Sequence, residues 1–90
     1  MEVFLTDRGS PQTAQQVFDQ YVKFLGTQGK VSAPRSEGSA KVVAADLGGL
    51  FDFAFLQGSL IGGVKSAMDR TAGEAQLKVL LKNLPKSKTP

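Results

Sequence analysis

Apolar positions along the first third of the chain follow two different periods. Val3-Phe4-Leu5-Thr6 is a short β-prone run ending at the turn signal Asp7-Arg8-Gly9, and it predicts a strand. Ser10 then precedes Pro11. A serine hydroxyl can accept an orphan amide at a helix start, and the missing N–H of proline costs nothing at the first helical position. Beyond it Ala14, Val17, Phe18, Tyr21, Val22 and Leu25 recur at the i, i+3, i+4, i+7 spacing of a helix buried on one side. The pattern predicts a helix from Pro11 through Leu25, with Gly26 as its terminator.

Glycine, proline and serine dominate from Thr27 to Ala40, which reads as a loop with room for a short strand at Lys30-Val31-Ser32. Ala40 to Ala45 carries the β-branched pair Val42-Val43. The glycine pair after Asp46-Leu47 permits a reversal. From Leu50 to Leu56 the period is two: Phe51, Phe53 and Phe55 share one side, Asp52 and Ala54 the other. A hairpin with an inward phenylalanine face follows. Leu60, Ile61, Val64, Ala67 and Met68 return to helical spacing after Ser59, so a helix is predicted there. Gly62 and Gly63 each cost it about 1 kcal/mol, a cost that close packing on a sheet or on a second copy would explain. Thr71 and Glu74 have the capping-box spacing, and Leu77, Leu80, Leu81 and Leu84 line one face of a last helix stopped by Pro85.

These elements amount to one small α+β domain over residues 1–85, ordered strand, helix, hairpin, helix, helix. Its helices are expected on one face of a short antiparallel or mixed sheet. A strand over Ala75–Leu81 would instead move the order towards a βαββαβ sandwich, against which the capping box and the leucine spacing both argue. Residues 86–90, Lys-Ser-Lys-Thr-Pro, have nothing to bury and are expected to form a disordered basic tail.

Composition narrows the chemistry. The 90 residues are 41% hydrophobic and 21% charged, within the range of folded domains rather than disordered chains. A chain this short has a thin stability margin, and with no cysteine no disulfide can widen it. Oligomerisation or docking on a partner is the remaining support. The absence of both cysteine and histidine removes thiolate and imidazole metal sites, Ser-His and Cys-His nucleophile pairs, and the commonest general base. A non-enzyme without metal or cofactor is expected. The acidic start Met1-Glu2-Val3 lacks the basic flank and long apolar run of a secretory signal, and no stretch reaches the ~20 apolar residues of a membrane span. A cytoplasmic protein that does not engage a membrane is expected.

Few residue groups offer chemistry. Gly58 to Gly63 has glycine and serine ahead of the predicted helix but lacks the Gly-Lys-Ser/Thr ending of a phosphate loop. Asp46 and Asp52 flank the presumed turn, where acids more often cap and solvate than pair. No lysine or arginine lies between Lys41 and Lys65, which argues against base stacking on the phenylalanine strand. The net charge is +3, and the cations are dense only at Lys78, Lys82, Lys86 and Lys88.

Asp46-Leu47-Gly48, Gly58-Ser59-Leu60-Ile61 and Ala72-Gly73-Glu74 together resemble the layout of parvulin-type prolyl isomerases. In that family an Asp-Leu-Gly turn precedes a helix and then a Pro-Gly-Glu turn. The resemblance covers less than half the chain and lacks the paired histidines and the closing Phe-Gly-x-His strand of the family, so it implies a degenerate, catalytically dead relative. Asp52 to Leu60 is similar to a strand-to-helix segment of acetyl-CoA carboxylase carboxyltransferases, a far larger fold.

The expected function is a non-catalytic protein-interaction or assembly module acting through an apolar surface, towards a protein partner or a second copy. The expected contact residues are Leu47, Leu50, Leu56, Leu60 and Ile61, from the glycine-interrupted apolar stretch Leu47–Met68. The alternatives are a nucleic-acid-binding module using Lys78, Lys82, Lys86 and Lys88, and the degenerate isomerase.

Overall fold

A computed structural model of the chain describes residues 1–84. Strand β1 (Glu2–Asp7) leads to helix α1 (Pro11–Gln28), the short strands β2 (Lys30–Val31) and β3 (Arg35–Glu37), the long strands β4 (Ala40–Asp46), β5 (Phe51–Gln57) and β6 (Leu60–Ala67), and helix α2 (Arg70–Lys82). The strands form one antiparallel sheet in the order β1-β6-β5-β4-β2, with β3 also paired to β4. Both β2 and β3 pair with the outer side of β4, Lys30 with Asp46 and Arg35 with Val42, so they are two pieces of one interrupted edge. The molecule is a small α+β domain, as its patterning implies.

The helices lie on opposite faces of this sheet, which corrects the expectation of one covered face. Phe18 and Ala14 of α1 pack with Val43, Ala54, Leu56 and Ile61. Leu77 of α2 packs with Val42, Ala44, Phe53, Phe55, Val64 and Ala67 on the other side. Consecutive residues of a strand face opposite ways, so β4 and β5 feed both cores. A central strand covered on both faces loses its polar positions, and with them the two-residue period.

That loss explains β6. Leu60–Ala67 is a strand, not the predicted helix, and Ile61 enters the α1 core while Val64 enters the α2 core. The apolar spacing that resembles a helix turn comes from burial on two sides. Its glycines are sites of close approach: a Cβ on Gly62 would lie 2.6 Å from the Phe55 ring and one on Gly63 would strike the Phe53 carbonyl. The Gly58-Ser59 pair makes the two-residue loop between β5 and β6. Gly58 stands at φ +59°, the left-handed conformation required at the first position of a II′ hairpin turn.

Other local expectations fare unevenly. Ser10 caps α1, its hydroxyl accepting from the Thr13 amide at 3.2 Å, with Pro11 next. The helix passes through Gly26 and ends at Gln28, where extended Gly29 lies against the Asp46 backbone. The β4–β5 hairpin turns over Leu47–Leu50, and Phe53 and Phe55 are fully buried. The last helix is capped by Asp69, whose carboxylate accepts from the Ala72 amide at 3.0 Å, in place of Thr71. Glu74 does not reach back to complete a capping box. It takes a bidentate grip from Arg35 of β3, at 2.9 and 3.0 Å.

Candidate functional site

The five leucine and isoleucine positions expected to form a contact patch are not gathered into one. Leu56 and Ile61 are buried in the core under α1. Leu47 and Leu50 sit at the β4–β5 turn, half-buried and exposed respectively. Leu60 begins β6 next to the β5–β6 turn, at the other end of the hairpin strands. The apolar stretch that carried the expectation is the centre of the sheet.

Of the basic positions, Lys78 and Lys82 are exposed one turn apart on α2, whereas Lys86 and Lys88 lie outside the described residues. Asp46 and Asp52 do not meet. The Asp46 carboxylate accepts from the Gly48 amide at 3.0 Å, as a turn cap. Asp52 is 4% exposed and points to the opposite face, its carboxylate accepting from the Ser66 amide at 2.8 Å. Gly58-Ser59-Leu60-Ile61 forms a turn and a strand, where the isomerase resemblance implies a helix. Among the described residues no cluster of metal-ligating side chains forms. No helix among them is long and apolar enough to cross a membrane.

The polar centre at Asp52 has the geometry of a structural device. Phe53 pairs with Val64 and Phe51 with Ala67, so Asp52 faces the extra residue of a β-bulge formed by Lys65 and Ser66. Ser66 stands at φ +61°, and the Asp52 carboxylate holds its amide there. Tyr21 of α1 lies nearby with its hydroxyl buried and without a hydrogen-bond partner among the described residues. Burial first, and then the charge of Asp52, push its phenol up to about 12. The Tyr21 ring meets Phe4 of β1 edge-on, with centroids 5.9 Å apart. Beside them a cavity of about 320 Å³ is lined by Glu2, Val3, Phe4, Tyr21 and Lys65.

The sheet's two edges differ sharply. The edge beyond β4 is broken into strands of two and three residues, with Pro34 between them and Lys30 and Arg35 upon them. Short strands, proline and cations are the usual devices that keep an edge from pairing with another chain. The edge at β1 has none of these. It is six residues long and pairs with β6 in unbroken register from Glu2↔Lys65 to Asp7↔Leu60. Among the described residues no strand pairs with its outer side.

The direction of its backbone groups follows from one hydrogen bond. The Arg8 amide donates to the Ser59 carbonyl at 2.8 Å, continuing the β1–β6 ladder by one residue. N–H and C=O groups of successive residues in an antiparallel strand point alternately to its two sides. Arg8, Thr6, Phe4 and Glu2 therefore spend their backbone groups on β6. Val3, Leu5 and Asp7 aim theirs outward. The side chains of Val3 and Leu5 are 49% and 43% exposed, on the α2 face of the sheet but away from α2. Phe24, Leu50, Met68 and Val79 are also exposed, but each stands on a different element or connection.

No protein-family model, curated protein or solved structure matches the chain. Val3 and Leu5 are exposed edge positions that sequence reasoning did not single out. Their strand was legible; that it is an edge is a property of the sheet order. The available signal was negative: a β-prone run with no lysine or proline inside it.

Proposed function

We propose that the protein is a non-catalytic interaction module that works by strand addition at β1. The observation that carries this reading is the contrast between the two edges: one interrupted and guarded by cations and proline, the other six residues long, in unbroken register and free of both, with Val3 and Leu5 exposed upon it. An extended segment laid along β1 would find three residues with outward backbone groups, and side chains Val3 and Leu5 to pack against. Main-chain hydrogen bonds would supply affinity, and the alternating side chains specificity. The absence of cysteine and histidine from the sequence supports a role without catalysis.

The test substitutes proline at a position where only the outward donor is lost. Leu5→Pro removes an N–H that β6 does not use, and proline is tolerated on an edge in that orientation. Tagged wild-type protein and the variant are used for capture from lysate with and without nuclease, and folding is checked by circular dichroism. Protein partners that survive nuclease and disappear with Leu5→Pro support strand addition. Partners retained by a folded Leu5→Pro variant overturn it. Nucleic acid captured in a nuclease-sensitive way, and lost with Lys78→Gln and Lys82→Gln, moves the function to the α2 lysines.

A further inference from the structure

We infer that one occupant of the β1 edge is β1 of a second copy of this chain, paired antiparallel about a two-fold axis at Leu5. This deepens the strand-addition reading and rests on it. A self-paired antiparallel edge strand places a residue on the axis, because facing residues must both aim their backbone groups at the partner strand or both aim them away. Centring on Phe4 would oppose Glu2 to Thr6 of the other copy and centring on Thr6 would oppose it to Ser10, neither of which carries a charge. Centring on Leu5 opposes Glu2 to Arg8 instead, twice over.

Backbone polarity agrees with that register. Val3, Leu5 and Asp7 carry the outward groups, so Leu5 faces Leu5 as a mutually hydrogen-bonded pair, and Val3 faces Asp7 in the same way on either side. Every outward N–H and C=O of these residues finds a partner. On the α2 face the two exposed Leu5 side chains meet at the axis, with Val3 diagonal to the opposite leucine. Asp7 does not force its charge on Val3. Its carboxylate turns back to accept from the Gly9 amide at 2.9 Å, and that bond and one from the Ser59 hydroxyl hold it below the ordinary carboxylate range. On the α1 face Phe4 lies opposite Thr6. Glu2 falls between Lys65, its register partner in the same chain, and Arg8 of the second copy, which gives a row of alternating sign beside the cavity at Tyr21.

Sedimentation equilibrium of the full chain from about 1 µM to about 200 µM reads the association. Glu2→Arg and Arg8→Glu are made separately. Both side chains are exposed, so neither change disturbs the core. The expected result is a reversible wild-type dimer, weakened about tenfold by each single change because each puts like charges at two symmetry-related pairs. An equimolar mixture of the two variants should regain association, since every pair in the mixed dimer is then opposite in sign. A wild-type chain that stays monomeric throughout overturns the inference, and leaves strand addition by another protein to be judged by Leu5→Pro. A dimer indifferent to both changes, or one that mixing does not restore, also overturns it.

Discussion

Ser66 holds φ +61° at the bulge, in a conformation that costs a non-glycine residue roughly 1–2 kcal/mol. The Asp52 carboxylate holds its amide, so the two substitutions should move stability in opposite directions. Ser66→Gly should stabilise the domain by about 1 kcal/mol in a urea titration. Asp52→Ala, which strips the Ser66 amide of its acceptor, should cost about 1–3 kcal/mol. Tyr21 offers a direct reading of the same buried centre, because it is the only tyrosine in the chain and there is no tryptophan. Its phenol is raised from 10.0 to about 12 in the fold. The unfolded chain therefore ionises first, and the stability that neutral Tyr21 contributes is whole below pH 10.0 and lost as pH rises towards 12. Tyrosinate absorbance should show a midpoint near 12 in the native protein and near the ordinary value of about 10 in urea. Coincident midpoints would show that the phenol is not buried.

At the scale of elements, glycines of the same composition do opposite work. Gly26 lies in the exposed interior of α1 with nothing within 4 Å of an added Cβ, so Gly26→Ala should stabilise by about 0.5–1 kcal/mol. Gly63→Ala must drive a methyl group into the Phe53 backbone, and should lower the melting temperature or prevent folding. The pair separates helix propensity from sheet packing in a single thermal-melt experiment. Arg35 ties the broken edge to α2 through Glu74, whose carboxyl is held low chiefly by the hydrogen bond from Arg35. A depressed carboxylate contributes above its unfolded value of 4.5 and loses that contribution as pH falls through the lower folded value. The pair is partly solvated, so Glu74→Gln should cost less than about 1 kcal/mol at neutral pH, and that cost should vanish in acid, where the wild-type carboxyl is protonated as well.

Across the whole molecule the sheet is covered by α1 on one face and α2 on the other, and its two edges are treated unlike each other. Hydrogen exchange should reveal this asymmetry residue by residue. Amides of β5, between β4 and β6, should be the best protected. Along β1 the pattern should alternate, with Phe4 and Thr6 slow and Val3, Leu5 and Asp7 fast in dilute protein. The fast set should slow as concentration rises if a second copy docks on them. Uniform protection along β1 in dilute protein would contradict the backbone polarity inferred from the Arg8–Ser59 bond.

The sequence by itself determined α1, its serine cap and proline start, the β4–β5 hairpin and its buried phenylalanines, because each is encoded by neighbours within a few residues. Ser10 needs only Thr13, and a two-residue period needs only one strand. It did not determine β6, because Leu60–Ala67 takes its apolar spacing from cores on both sides, and a chain read in isolation has no sides. The exposed edge proposed for strand addition was illegible for the same reason: Leu56 and Ile61 are as apolar as Val3 and Leu5, and only sheet order puts the first pair in the centre and the second at the edge. Local propensity chooses elements, whereas exposure follows from which strands find neighbours, a long-range outcome that only the tertiary structure decides.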